Sequence, residues 1–377
     1  MRIAKFGRLS GSAALLLAAA CNSNPTAPAA LSNPLATTAA VAALDSTFLT
    51  SALASFGTVS TTLGHTAATA PLGRAGAIVQ ATLPRPGEFG PTASAAAVKR
   101  LSGLRAVALA PTSPQGPVIN DTLYGSIYTW DTTFQAYLRT ATTGGPANGI
   151  RFILYAINPF TGSIAVPLNP VGQADLLDES VGLSAKLHII VTGNGGTPSY
   201  LDYTAGLTVT QSSLEATLTG SLTNALPGAA NKVLTFNAIG NFTLSSITAQ
   251  ATYALNNPAV TLQLNATDVV LATADSVTLV FAMTRQGETI GFTGLLKTTN
   301  GSVDTVTADI KVNNQPYASV KGDAAGVTFY DHTGAEIVDT TQQHDILVAL
   351  EGVQFAVVLV ISFTSALFGP IVNLLSS

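Results

Sequence analysis

The chain has 377 residues and a formal net charge of −4. Only 10% of its residues are charged, against about 25% in ordinary domains, and no basic cluster follows Arg8, which excludes the electrostatic footprint of nucleic-acid binding. The single cysteine, Cys21, excludes an internal disulfide, so stability rests on an apolar core that a chain of this length readily builds.

Residues 1–20 read as a signal peptide. Arg2, Lys5 and Arg8 form a basic start, and the uncharged stretch Leu9 to Ala20 is too short to span a bilayer. Small residues Ala18, Ala19 and Ala20 lead directly to Cys21. The run Leu17-Ala18-Ala19-Ala20-Cys21 resembles the lipobox of bacterial lipoproteins. That family prefers Leu, Val or Ile where this chain has Ala18, with Leu17 one position earlier. The resemblance implies lipidation at Cys21 and export to the periplasm or cell surface. Lipoproteins kept at the inner membrane often carry Asp after the cysteine; Asn22 here favours the outer membrane.

Residues 21–36 contain Pro25, Pro28 and Pro34 among Asn, Ser, Thr and Ala, the composition of a flexible tether. An Ala-, Thr- and Gly-rich region follows over 37–104. Leu44, Phe48, Leu49, Leu53 and Phe56 recur at three-to-four spacing, which predicts a short helix within 37–62. Gly57 to Pro91 reads as irregular, and a second short helix is expected from Thr92 to Leu104.

The remaining span, 105–377, reads as an antiparallel β domain. From about Val118 the pattern changes to period two. Leu183, Ala185, Leu187, Ile189 and Val191 alternate with Ser184, Lys186, His188 and Ile190. The same alternation marks Leu214 to Leu222, Val260 to Leu264 and Val306 to Val312, each with a Thr-rich opposite face. Turn material separates the runs, as at Gly193-Asn194-Gly195-Gly196, Asn256-Asn257-Pro258, Asn300-Gly301 and Asn313-Asn314-Gln315-Pro316. The pattern predicts roughly ten to twelve strands in one meander, a sheet large enough that it must curl, close or split.

Asp339-Thr340-Thr341 reads as a cap before a C-terminal helix over about 341–375. Phe355 to Leu375 carries no charge. It fits a buried helix by length, a strand by its β-branched Val357, Val358, Val360 and Ile361, or a transmembrane helix interrupted by Pro370.

No Gly-x-Ser-x-Gly elbow, phosphate loop, His-Glu-x-x-His or EF-hand loop occurs; Gly287-Glu288-Thr289-Ile290-Gly291 has the elbow spacing but reads as a strand. His65, His188, His332 and His344 are scattered without metal-ligand spacing, so no catalytic residue, metal or cofactor is assigned. Asp175, Asp178 and Glu179 form the densest acidic group; a calcium site or an acid–base pair would use such residues, but without the Gly or Asn spacing of a metal loop they read as a solvated loop between strands. Tyr124, Tyr128 and Trp130 share period-two spacing on one strand, followed by Tyr137 and Tyr155. They fit core packing or hairpin cross-pairs or, together with Leu359 and Phe363 of the tail, an apolar ligand wall.

The expected fold is therefore mainly β: a large curved antiparallel sheet, half-barrel or barrel-like, with short N-terminal helices and a C-terminal apolar helix. This layout loosely resembles bacterial carriers of lipids and lipoproteins. Three function classes stay open. The first is non-catalytic binding of an apolar small molecule or lipid by a membrane-anchored protein. The second is a structural or adhesive envelope role, and the third an enzyme without a recognisable motif.

Overall fold

A computed structural model describes residues 54–59 and residues 117–338 except 211, 244, 271–273, 300–301 and 324–325. Toward the C-terminus it describes 356, 360, 363–364, 367–372 and 374–375. Outside these residues lie the expected signal peptide, Cys21, the expected tether, the expected helix over 92–104, His65, His344, Leu359 and the expected start of the tail helix.

Fifteen strands form one sheet. They are β1 (Ser126–Asp131), β2 (Ala136–Thr143), β3 (Gly149–Tyr155), β4 (Pro170–Asp178) and β5 (Ser184–Gly193), followed by β6 (Ser199–Val209), β7 (Leu214–Thr223), β8 (Val233–Phe242), β9 (Ser246–Asn256) and β10 (Ala259–Val270). The last are β11 (Ala274–Arg285), β12 (Glu288–Thr299), β13 (Ser302–Val312), β14 (Gln315–Asp323) and β15 (Gly326–Asp331). The count exceeds the ten to twelve expected, because the short end strands carry weak alternation. From β3 to β15 every strand pairs with its sequence neighbour, and β1 then inserts between β3 and β2. All pairs are antiparallel except β1 with β3, which is parallel. The sheet is curved and does not close, and β2 and β15 are its edges.

Helical residues 54–59 form α1. Those at 356, 360, 363–364, 367–372 and 374–375 form α2. The expected mainly β class with a C-terminal apolar helix is what the chain adopts. Ala356, Val360, Phe363, Thr364, Leu367, Phe368 and Ile371 are all buried, and their spacing of three and four places them on one helical face. Among the described residues no helix is long and apolar enough to cross a membrane.

Strand alternation sets which face is covered. In β5, Ala185, Leu187, Ile189 and Val191 are buried while Lys186 and His188 point outward. Leu183 was expected to continue this series, but it precedes β5 and is exposed. Positive-φ residues close the tightest hairpins: Gln286 and Gly287 between β11 and β12, Asn313 and Asn314 between β13 and β14. Two successive residues at φ > 0 fit the right-handed twist of the flanking strands.

The acidic group is not a solvated loop. Asp175 and Asp178 lie on β4, and Glu179 follows it. Arg151 of β3 stands opposite Asp175 and makes paired contacts of 2.6 and 2.7 Å. Asp178 is buried and accepts hydrogen bonds from the backbone N–H groups of Ile119 and Ser180. Strand pairing accounts for Asp175, and hydrogen bonds from backbone N–H groups account for Asp178.

Candidate functional site

Residues paired across the sheet form rows on its inner face, and side-chain size varies row by row. One row runs Tyr203, Gly220, Phe236, Tyr253, Leu262, Met283, Ile290 and Val312. The next runs Ala205, Leu218, Ala238, Ala251 and Leu264, and beside it lie Ala216, Gly240, Ala249 and Ala266. Over β7 to β10 the last two rows are mostly Ala and Gly. They form the floor of a trough walled by Tyr203, Phe236 and Tyr253 on one side and by Phe242 and Ile247 on the other. A small-residue floor lets a helix of about 10–12 Å diameter approach the backbone.

α2 packs on this part of the sheet. Phe363 meets Phe236 edge-on at 5.3 Å and Tyr253 at 5.8 Å. Tyr253 and Thr364 share a hydroxyl–hydroxyl hydrogen bond, and the Tyr203 hydroxyl donates to the Leu367 carbonyl at 3.0 Å. Burial pushes the phenols of Tyr203 and Tyr253 far above their ordinary value, so both stay neutral. Between floor and helix a void of ≈ 30 Å³ remains, lined by Ala216, Ala238, Gly240, Ala251, Thr364 and Phe368. That holds about one water, whereas small-molecule pockets are typically about 300–1,000 Å³. The seat under α2 is therefore filled.

Gly220 makes the Tyr203 latch possible. A Cβ there would lie 2.3 Å from Tyr203 Cβ and 2.4 Å from the Asp202 carbonyl oxygen. Replacing Gly220 with Ala is expected to destabilise the fold by roughly 2–3 kcal/mol, as overpacking against backbone does. Denaturant unfolding should show a lower midpoint at unchanged slope; an unchanged midpoint would contradict this seat.

The trough continues past α2. Ala266 pairs with Leu279, then the row passes through Gly294, Ala308, Val320 and Phe329. The ring of Phe292 lies over Gly294, which has no side chain to meet it. Leu279, Phe292 and Phe329 are only partly buried. A charged pair stands at the end of the same strands. Arg285 and Glu288 are inward-facing and buried, 2.7 Å apart.

The sequence-expected wall divides in two. Tyr124 is not on the strand: it precedes β1, next to the positive-φ Gly125. Tyr128 stacks on Phe152 at 4.9 Å. Trp130 meets Tyr137 edge-on at 5.3 Å, and Tyr137 meets Phe152 at 5.3 Å. α1 joins this cluster: Ser55 Oγ accepts from the Tyr155 N–H at 3.0 Å. Burial pushes the Tyr137 phenol up to about 12. These aromatics pack on one another as cross-strand neighbours. Phe363 instead belongs to the β8 and β9 group, with β4 to β7 between.

On the outer face, His188 lies between Glu179 at 3.2 Å and Asp202 at 2.7 Å, so both ring nitrogens already have carboxylate partners. Among the described residues no group of His, Cys, Asp or Glu is arranged to hold a metal. The Glu179 carboxyl is held below its ordinary 4.5, first by its hydrogen bond from Lys186. Its contribution to stability is present above that ordinary value and is lost as pH falls through the lowered one. Replacing Lys186 with Met should raise the Glu179 titration midpoint, read by carboxyl-carbon NMR; an unmoved midpoint would assign the shift elsewhere. An open depression of ≈ 440 Å³ lies beside Gly291, Asp309 and Lys311 on this outer side.

Comparison of the chain with protein-family models, curated proteins and solved structures finds no match.

Proposed function

We propose that the chain is an exported lipoprotein, anchored to the outer membrane through Cys21, that binds an apolar ligand or lipid without catalysis. The observation that carries this reading is the continuation of the apolar trough beyond the seat of α2. Its row from Leu279 through Gly294 and Ala308 to Phe329 is apolar, and Leu279, Phe292 and Phe329 keep partial exposure. An open sheet leaves an entrance that a closed barrel would not.

The filled seat under α2 favours a second reading, a structural or adhesive envelope module. The two differ in what purifies with the protein. Native mass spectrometry of the folded chain is expected to show a population carrying one lipid mass, removed on unfolding. A single bare mass under conditions that preserve other lipid complexes favours the structural role.

A further inference from the structure

We propose that the ligand is a long-chain fatty acid whose carboxylate is held by Arg285; this rests on the apolar-ligand reading above. Arg285 is 4% exposed, and Glu288 is 7% exposed. Period two puts Arg285 in phase with Phe281 and Met283 on β11, and Glu288 in phase with Ile290 and Phe292 on β12. Both charges therefore face the apolar interior. They end a row of otherwise aliphatic partners: Leu201, Leu222, Leu234, Leu255 and Val260.

A buried ion pair is a weak source of stability, because desolvation offsets its Coulomb attraction, and apolar residues of similar size often serve as well. An arginine fork suits a second role, paired recognition of a carboxylate. From Arg285 back to Leu279, β11 covers about 20 Å at roughly 3.3 Å per residue, the reach of a long acyl chain. An acid lying along β11 and β12 places its head at Arg285 beside Glu288, and binding takes up one proton that the two carboxylates share, so that no buried carboxylate is left charged and unpaired. Its tail reaches the partly exposed Leu279 and Phe292. Met283 and Ile290 between them are fully buried. The acyl chain therefore displaces what packs over them rather than filling a ready void, and the flexible Met283 side chain eases that change.

The test compares hexadecanoic acid with hexadecan-1-ol, by displacement of a bound lipophilic dye at pH 8 from the full chain carrying Cys21→Ala. The acid is expected to bind at least about tenfold more tightly, the usual gain from a charge-assisted hydrogen bond. In the double variant Arg285→Met, Glu288→Leu the preference of acid over alcohol should vanish. Its apolar replacements avoid leaving one buried charge alone. Equal binding of acid and alcohol by the unaltered pair overturns the carboxylate assignment and leaves the apolar-ligand reading standing. A preference that survives in the double variant also overturns it. Failure of both compounds to bind overturns the two readings together.

Discussion

A chain ending at Glu351 is expected to lose its cooperative fold. The deletion removes Val360, Phe363, Leu367, Phe368, Ile371 and Val372, all at most 8% exposed. Burial of such side chains contributes about 1.5–3 kcal/mol each, so the loss reaches roughly 10 kcal/mol before the regained chain entropy is subtracted. Domain stability as a whole is only about 5–15 kcal/mol. The deletion also uncovers Phe236 and Tyr253 and removes the acceptor for the Tyr203 hydroxyl. The truncated chain should bind hydrophobic dyes and lose its near-ultraviolet dichroism while keeping β signal. Phe363→Ala gives the graded form of the same result, a loss of about 3–5 kcal/mol. Cooperative unfolding at an unchanged temperature after truncation would show that α2 is not part of the core.

The second large effect falls on location rather than stability. Cys21→Ala is expected to abolish fatty-acid incorporation and to move the protein out of the membrane fraction. Residues 1–20 carry the basic and apolar pattern expected of an export signal, and Cys21 is the only cysteine in the sequence. Unfolding of the variant should match that of the acylated protein, because the buried core of the described residues is built by α1, the sheet and α2. Labelled fatty acid appearing on the variant would remove Cys21 as the anchor.

Most of the sheet is legible in the sequence because period two carries direct physical information. The series Ala185 to Val191, Leu214 to Leu222 and Val260 to Leu264 each become one buried face. Register is what period two leaves out. Pairing alone puts Ala216, Gly240, Ala249 and Ala266 side by side, and no single strand reveals that floor. The same limit explains the divided aromatic wall. Tyr124 keeps the spacing of Tyr128 and Trp130, but the backbone turns at Gly125, and a bulge between Ser126 and Tyr128 shifts the register.

Arg285 and Glu288 carry a signal of their own in the sequence. Charges on both sides of Gln286-Gly287 look like exposed hairpin ends, yet each is in phase with buried neighbours, Met283 and Ile290. Tyr203 and Tyr253 carry a similar signal, since a phenol in phase with buried aliphatic residues needs an internal partner. That partner lies more than a hundred residues away in α2, and no local pattern supplies it.

Titration of the folded, unacylated chain with an environment-sensitive lipophilic dye, well below its melting temperature, tests the central claim most directly. The account predicts saturable binding near one dye per chain, competition by fatty acids and loss of the signal on unfolding. Fluorescence that rises without saturation, or that fatty acids leave unchanged, would contradict an apolar binding site on the inner face of the sheet.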